Sequence, residues 1–156
     1  VSLTNDLSQW AAPFPPPSAA ELADRLAVSQ LVKIYALGID MRDYALCRSA
    51  FSDDALMVGT QGSALIEAYL PKVYEGAAAF AATQHNITNQ HVTIDRADAL
   101  VWSYAIAVHK AAPDSGRDDL TMGVQYRDTC RRFPAGWLIT ARTVVVQWTE
   151  KPPRAA

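Results

Sequence analysis

Leu100-Val-Trp-Ser-Tyr-Ala-Ile-Ala-Val-His-Lys110 alternates two kinds of residue. In an extended strand Trp102, Tyr104, Ile106 and Val108 fall on one side, and Val101, Ser103, Ala105, Ala107 and His109 on the other. A large-residue face opposite a small-residue face suits a curved sheet that packs hard on one side and leaves room on the other. A dimer contact or a helix accounts equally well for the large side. Period-two patterning extends in both directions, predicting strands over 87–94, 100–111, 120–133 and 137–148. Arg96-Ala97-Asp98, Pro113-Asp114-Ser115-Gly116 and Pro134-Ala135-Gly136 supply the turns between them.

Upstream the period changes. Ser18-Ala-Ala-Glu21 reads as a capping box, with the serine hydroxyl accepting from the third helical amide and Glu21 reaching back to the cap. Val28, Leu31, Tyr35 and Ile39 follow at helical spacing, so a long helix is expected to about Met41. Asp43 is placed to cap a short helix over 44–50, with Leu46 and Phe51 pointing inward. Ser52-Asp53-Asp54 is expected to break it, and 55–60 reads as a first strand. Residues 63–70 fit strand or helix; Pro71 is expected to end that segment, and 77–82 favours helix. Helices first and a long antiparallel meander afterwards make an α+β domain.

The chain has 156 residues, which suits one domain with a real core, as does its 50% content of hydrophobic residues. Residues 1–18 read as an arm, because Pro13, Pro15, Pro16 and Pro17 favour an extended path. Trp10 and Phe14 are expected to lie on the domain or on a neighbouring subunit. The domain spans 19–150, and 151–156 reads as a flexible tail. A net charge of −2 gives no electrostatic reason to bind nucleic acid or an anionic membrane. No apolar run approaches the roughly 20 residues of a membrane span, and the opening residues do not read as a secretory signal. A cytoplasmic location is therefore expected. Cys47 and Cys130 match no metal or redox spacing and read as small buried hydrophobes.

The three histidines, His85, His91 and His109, all fall among the strands. On a flat strand His85 and His91 point to one face, but without a close carboxylate they are a weak zinc signal, so no metal is expected. Asp40 stands out in Leu-Gly-Ile-Asp-Met-Arg-Asp, at an apolar helix end, while other acids cluster in turns. One reading makes it a capping acid or a partner of Arg42. Another makes it a partly buried carboxylate that holds a histidine in one tautomer and stabilises its imidazolium for proton transfer.

Several segments in order carry a resemblance. They are the helix ending in Tyr35-x-x-x-x-Asp40, the short helix, Phe51-x-x-Asp54-Ala55, Tyr74-Glu75-Gly76 and the strand entry Thr83-Gln84-His85. The hairpin Tyr126-Arg127-Asp128 with Gly136-Trp137-Leu138-Ile139 closes the series. In this order the chain resembles the nuclear-transport-factor-2-like superfamily. Within it, it is similar to the SnoaL-like branch that includes scytalone dehydratase, bile-acid dehydratase and lindane dehydrochlorinase, over about 19–148. The resemblance implies a cone, a curved and mostly antiparallel sheet wrapped around the long helix with a deep apolar pocket. The branch's acid–histidine dyad falls on Asp40 and His85, its second pocket histidine on His109, and its tyrosine on Tyr35. A recurrent pocket arginine falls on Arg142 or Arg131. This chain departs from the branch at Ile39, where scytalone dehydratase has tyrosine, and at Tyr35, where the dehydrochlorinase has lysine.

Two functions follow as expectations. The first is a cofactor-independent lyase or isomerase acting on a small apolar, cyclic metabolite. There His85, oriented by Asp40, is the base, Tyr35 or His109 the hydrogen-bond donor, and Arg142 steadies negative charge. Trp102, Asn89, Tyr126 and Ser103 are candidate substrate contacts, although Asn89 reads equally as satisfying a bulge, and Trp102, with Trp137 and Trp148, also reads as packing on the outer sheet face or a dimer face. The second is binding of an apolar ligand without turnover, or service as the small subunit of a ring-hydroxylating oxygenase. A homodimer or trimer through the outer sheet face is expected.

Overall fold

Ser18 caps the first helix as its sequence predicts. In the computed structural model, which describes residues 7–151, its hydroxyl accepts from the Glu21 amide at 3.2 Å and α1 runs Ala19–Asp40. Residues 1–6 of the expected arm and 152–156 of the expected tail lie outside the described residues. Glu21 does not return to the cap; its carboxylate takes two bonds from Arg25, one turn on. Val28, Leu31, Val32, Tyr35, Ala36 and Ile39 form the buried face of α1. Full burial of each large aliphatic side chain contributes roughly 1.5–3 kcal/mol, more than the cap's ~1 kcal/mol, so packing sets the position of α1.

Asp43 accepts from the Leu46 amide at 2.9 Å and starts α2 (Tyr44–Ser49). Cys47, rather than half-buried Leu46, is the inward residue of this helix. The two helices meet closely because residue 38 is glycine: a Cβ there would lie 2.5 Å from the Cys47 nitrogen. β1 (Phe51–Gly59) begins earlier than expected. Ser52, Asp53 and Asp54 lie inside it, in a stretch where its pairing shifts, with both aspartates exposed. β2 (Gly62–Leu65) leads into α3 (Ile66–Ala78), so Pro71 stands within a helix rather than ending a segment. Proline there forfeits one backbone hydrogen bond, and burial of Ile66, Tyr69, Leu70 and Ala77 outweighs that loss.

The chain then forms β3 (Ala82–Asp95), β4 (Asp98–Lys110), β5 (Leu120–Phe133) and β6 (Gly136–Glu150). The sheet order is β2-β1-β6-β5-β4-β3, antiparallel except where β1 runs parallel to β6. One register shift in β3 and two in β6 are bulges of the kind that bend strands, and the curved sheet packs on α1 through β3, β4 and β6. The small-residue face of β4 is the one beneath the helix, with Val101, Ser103, Ala105, Ala107 and His109 all buried. The large-residue face lies outside. Trp10, from a single 3-10 turn over Leu7–Trp10, packs there against Trp102 and His91 and donates to Thr93. Trp148 is outside too, lying across Gly123, where a Cβ would meet its ring nitrogen at 2.1 Å. Trp137 corrects the expectation for that group: it is buried and donates to Asp24 on α1. Cys47 and Cys130 are both free and buried. Among the described residues, no helix is long and apolar enough to cross a membrane.

Candidate active site

Asp40 closes α1 and His85 stands on the inner face of β3, opposite Ala107. Alanine at positions 105 and 107 leaves space there for an imidazole and a helix end. His85 Nδ1 lies 2.7 Å from Asp40 Oδ1, and the His85 backbone amide donates to Oδ2 at 2.8 Å. The Thr83 hydroxyl, two residues earlier on the same strand face, donates to Oδ1 at 2.9 Å. Burial opposes ionisation of Asp40, but the His85 ring and backbone hydrogen bonds, then the His85 charge and the Thr83 hydroxyl, prevail and hold the carboxyl below its ordinary value. An ionised carboxylate only accepts, so Nδ1 carries the imidazole hydrogen. Nε2 keeps its lone pair and has no hydrogen-bond partner among the described residues.

The His85 side chain is 6% exposed and that of Asp40 21%. Asp40 and His85 border an open groove of about 270 Å³ between α1 and β3, together with Lys33, Leu37 and Ile87. His109 meets the His85 ring edge-on, with centroids 5.6 Å apart, and packs against Phe80. Burial, then the charge of His85, pushes the His109 pKa down, so this ring is neutral at pH 7. Its Nδ1 is buried without a hydrogen-bond partner among the described residues.

Five helical steps of about 100° turn Tyr35 about 140° away from Asp40 around α1. Tyr35 therefore faces β5 and β6, where it lines a cavity of about 100 Å³ with Tyr69, Tyr126, Met57, Met122 and Val144. Met122, in the wall of this cavity, stands two strands across the sheet from His85, with Ala107 between them. Burial pushes the Tyr126 pKa up to about 12 and that of Tyr35 higher still, so both phenols stay protonated as hydrogen-bond donors. Behind them Arg142 forms a two-bond ion pair with Asp128, both bonds 2.7 Å, with the Arg142 side chain 0% exposed. Its guanidinium stacks over Tyr35 at 4.5 Å, Tyr126 at 4.7 Å and Phe51 at 5.1 Å. Arg131 is a surface residue paired with Asp98, which leaves Arg142 as the interior arginine.

The structure thus brings Asp40, His85 and His109 together, and places Tyr35 and Tyr126 in the wall of a separate cavity with Arg142 stacked behind them. Ser103 is buried on the same inner face and accepts from Gln90. Asn89 and Trp102 are elsewhere. The pairing of β3 shifts by one residue between Ile87 and Gln90, which leaves Asn89 exposed in the bulge. The same shift turns His91 to the outer face, opposite Trp102, while His85 stays inside. An alternation rule that assumes a flat strand cannot register that extra residue. Sequence reasoning also passed over Thr83 and Asp128 as parts of the site, and it offered Arg42 as a partner of Asp40, whereas Arg42 bonds Thr83 and the Ile39 and Phe80 carbonyls. Thr83 was accessible to it, because a hydroxyl two residues from His85 shares its face.

The long helix packed on a curved, mostly antiparallel six-stranded sheet places the chain among α+β cone folds. The SnoaL-like domain model matches residues 20–143, and the chain belongs to the SnoaL-like domain family. No curated protein matches it. Among solved structures, a scytalone dehydratase-like protein from Novosphingobium aromaticivorans is 22% identical, with 87% of this chain and 92% of that chain covered at a TM-score of 0.75. A protein from Kribbella flavida is 22% identical, with coverage of 83% and 95% and a TM-score of 0.74. A hexachlorocyclohexane dehydrochlorinase from Novosphingobium barchaimii is 15% identical, with coverage of 85% and 92% and a TM-score of 0.74. At these identities the likeness is one of fold.

Proposed function

We propose that the protein is a cofactor-independent lyase or isomerase that removes a proton beside a carbonyl group of a small, apolar, cyclic metabolite. The observation that carries this reading is the 2.7 Å contact of Asp40 Oδ1 with His85 Nδ1, which leaves Nε2 as an unpartnered base. In a dehydration, Nε2 takes the hydrogen next to the carbonyl and the C–H electron pair becomes the new double bond. The hydroxyl on the neighbouring carbon leaves with the proton that His85 has just gained, so water departs and the imidazole returns to neutral. Asp40 stabilises the transient imidazolium. The protonated phenols of Tyr35 and Tyr126 donate to the carbonyl oxygen as charge builds on it. The Arg142 charge, stacked behind both rings, favours the same charge. General-base catalysis and placed donors each contribute roughly 10²–10⁴-fold, enough for a modest lyase.

The groove of about 270 Å³ that Asp40 and His85 border lies below the roughly 300–1,000 Å³ of typical ligand pockets, which supports a small substrate. Cyclic β-hydroxyketones of one ring are therefore the test compounds, with the enone chromophore as readout. Wild type is expected to form enone at least about 100-fold faster than His85→Gln. Equal rates in the two proteins remove His85 from the reaction and leave binding of an apolar ligand as the reading.

A further inference from the structure

Arg42 follows the dyad carboxylate by two residues and adopts a left-handed backbone conformation, φ 59°, uncommon for a residue with a side chain. That turn brings its guanidinium back over the end of α1 toward β3. Nη1 donates to the Ile39 carbonyl at 2.6 Å and to Thr83 Oγ1 at 2.8 Å, and Nη2 donates to the Phe80 carbonyl at 3.2 Å. The Arg42 carbonyl in turn accepts from the Tyr74 hydroxyl, which fixes the turn from the side of α3. Both hydrogens of Nη1 are thus committed, one to the helix end and one to the threonine.

We propose that Arg42 and Thr83 are positioning residues that set the direction of every hydrogen in the Asp40–His85 couple. This rests on the acid–base reading of that couple. Arginine only donates, so Thr83 Oγ1 accepts from it and turns its own hydrogen elsewhere. The acceptor within reach is Asp40 Oδ1, and an ionised carboxylate only accepts. Donor-only arginine at one end and acceptor-only aspartate at the other leave the hydroxyl one orientation. Asp40 then holds one bond on Oδ2 from the His85 amide and two on Oδ1, from Thr83 and the His85 ring. Three donors converging from one strand fix the carboxylate's rotation. The imidazole that meets it is compelled to present Nδ1–H and to keep Nε2 free. Because it acts through Thr83, Arg42 supplies a positive end to this relay without touching His85.

The experiment follows carboxyl ¹³C and imidazole ¹⁵N resonances through a pH titration of the unliganded protein. It compares wild type, Thr83→Val, Thr83→Ser and Arg42→Gln. Lys33 on α1 and His109 on β4 border the couple, Cys47 on α2 and Tyr126 on β5 feel the Asp40 charge from farther off, and all four are unchanged in these variants. Thr83→Val keeps the shape of the side chain and removes the hydroxyl, so the Asp40 titration is expected to move up by roughly 0.5–1 unit. The fraction of His85 in the Nδ1–H tautomer is expected to fall. Thr83→Ser is expected to restore both readings, and Arg42→Gln to shift the Asp40 titration in the same direction as Thr83→Val. A merely structural role for the pair would lower thermal stability without moving either resonance. Unchanged Asp40 titration and unchanged tautomer in folded Thr83→Val or Arg42→Gln overturn the proposal. Turnover is not part of this readout, so a failure of the lyase reading appears separately, as equal activity of wild type and His85→Gln.

Discussion

Replacing Asp128 by leucine strips the Arg142 guanidinium of both its 2.7 Å partners in a place where its side chain has 0% exposure. Nη1 already lacks a hydrogen-bond partner, so after the change no carboxylate among the described residues bonds any part of the cation. The rings of Tyr35, Tyr126 and Phe51 attract it in both proteins and therefore give no relief. An uncompensated buried charge of this kind costs about 3–5 kcal/mol. For a chain of this length, each kcal/mol corresponds to roughly 2–4 °C in Tm, giving a fall of roughly 6–20 °C. The double variant Asp128→Leu/Arg142→Met removes the charge as well and is expected to recover most of the loss, because apolar replacement of a buried pair is often neutral or stabilising. Urea unfolding with tryptophan fluorescence as signal measures both. An Asp128→Leu protein within about 1 kcal/mol of wild type, or a double variant no better than the single, refutes the argument.

Three further outcomes are expected. Acidification should weaken the fold in two windows. His109 has a depressed folded pKa, so its unfolded form binds protons first and stability drops as pH falls below about 6.5. Asp40, also depressed, contributes stability present above its unfolded value and lost as pH falls from about 4 through its folded value. Thermal melts between pH 3 and pH 8 test this, and His109→Gln should erase the upper window alone. Gly38→Ala sets a methyl 2.5 Å from the Cys47 nitrogen and 2.9 Å from the Asp43 carbonyl oxygen, neither of which is free to swing away, and should cost about 1–3 kcal/mol by chemical denaturation. Gly123→Ala, whose near neighbour is only the half-exposed Trp148 ring, should cost less in the same assay.

Long periodic segments were legible in the sequence because a single physical rule governs them. α1 ends one residue from its expected limit, and β5 occupies the expected 120–133, since each buries one continuous face. Local signals failed where tertiary packing outweighed them. Pro71 reads as a stop, yet the buried side chains on either side of it hold α3 together. Ser52-Asp53-Asp54 reads as a break, yet a strand tolerates two acids that point outward where its pairing is irregular. The dyad was legible through Asp40, an acid at an apolar helix end, and through the resemblance that paired it with His85. Its support was not. Arg42 reaches Thr83 across 41 positions, by way of a left-handed turn that no propensity at arginine announces. Asn89 read equally as a pocket residue or as part of a bulge, and it stands in the bulge, where one extra residue reverses every face beyond it.

Hydrogen exchange at carbon puts the central claim to its most direct trial. A one-ring cyclic ketone incubated in D₂O with wild type should acquire deuterium beside its carbonyl at least about 100-fold faster than in buffer. Asp40→Asn, which keeps the shape of the side chain but can present a donor to Nδ1 and so misdirect the imidazole hydrogen, should lose most of that rate. Deuterium entering at the same rate with wild type, with Asp40→Asn and with buffer alone would contradict the account.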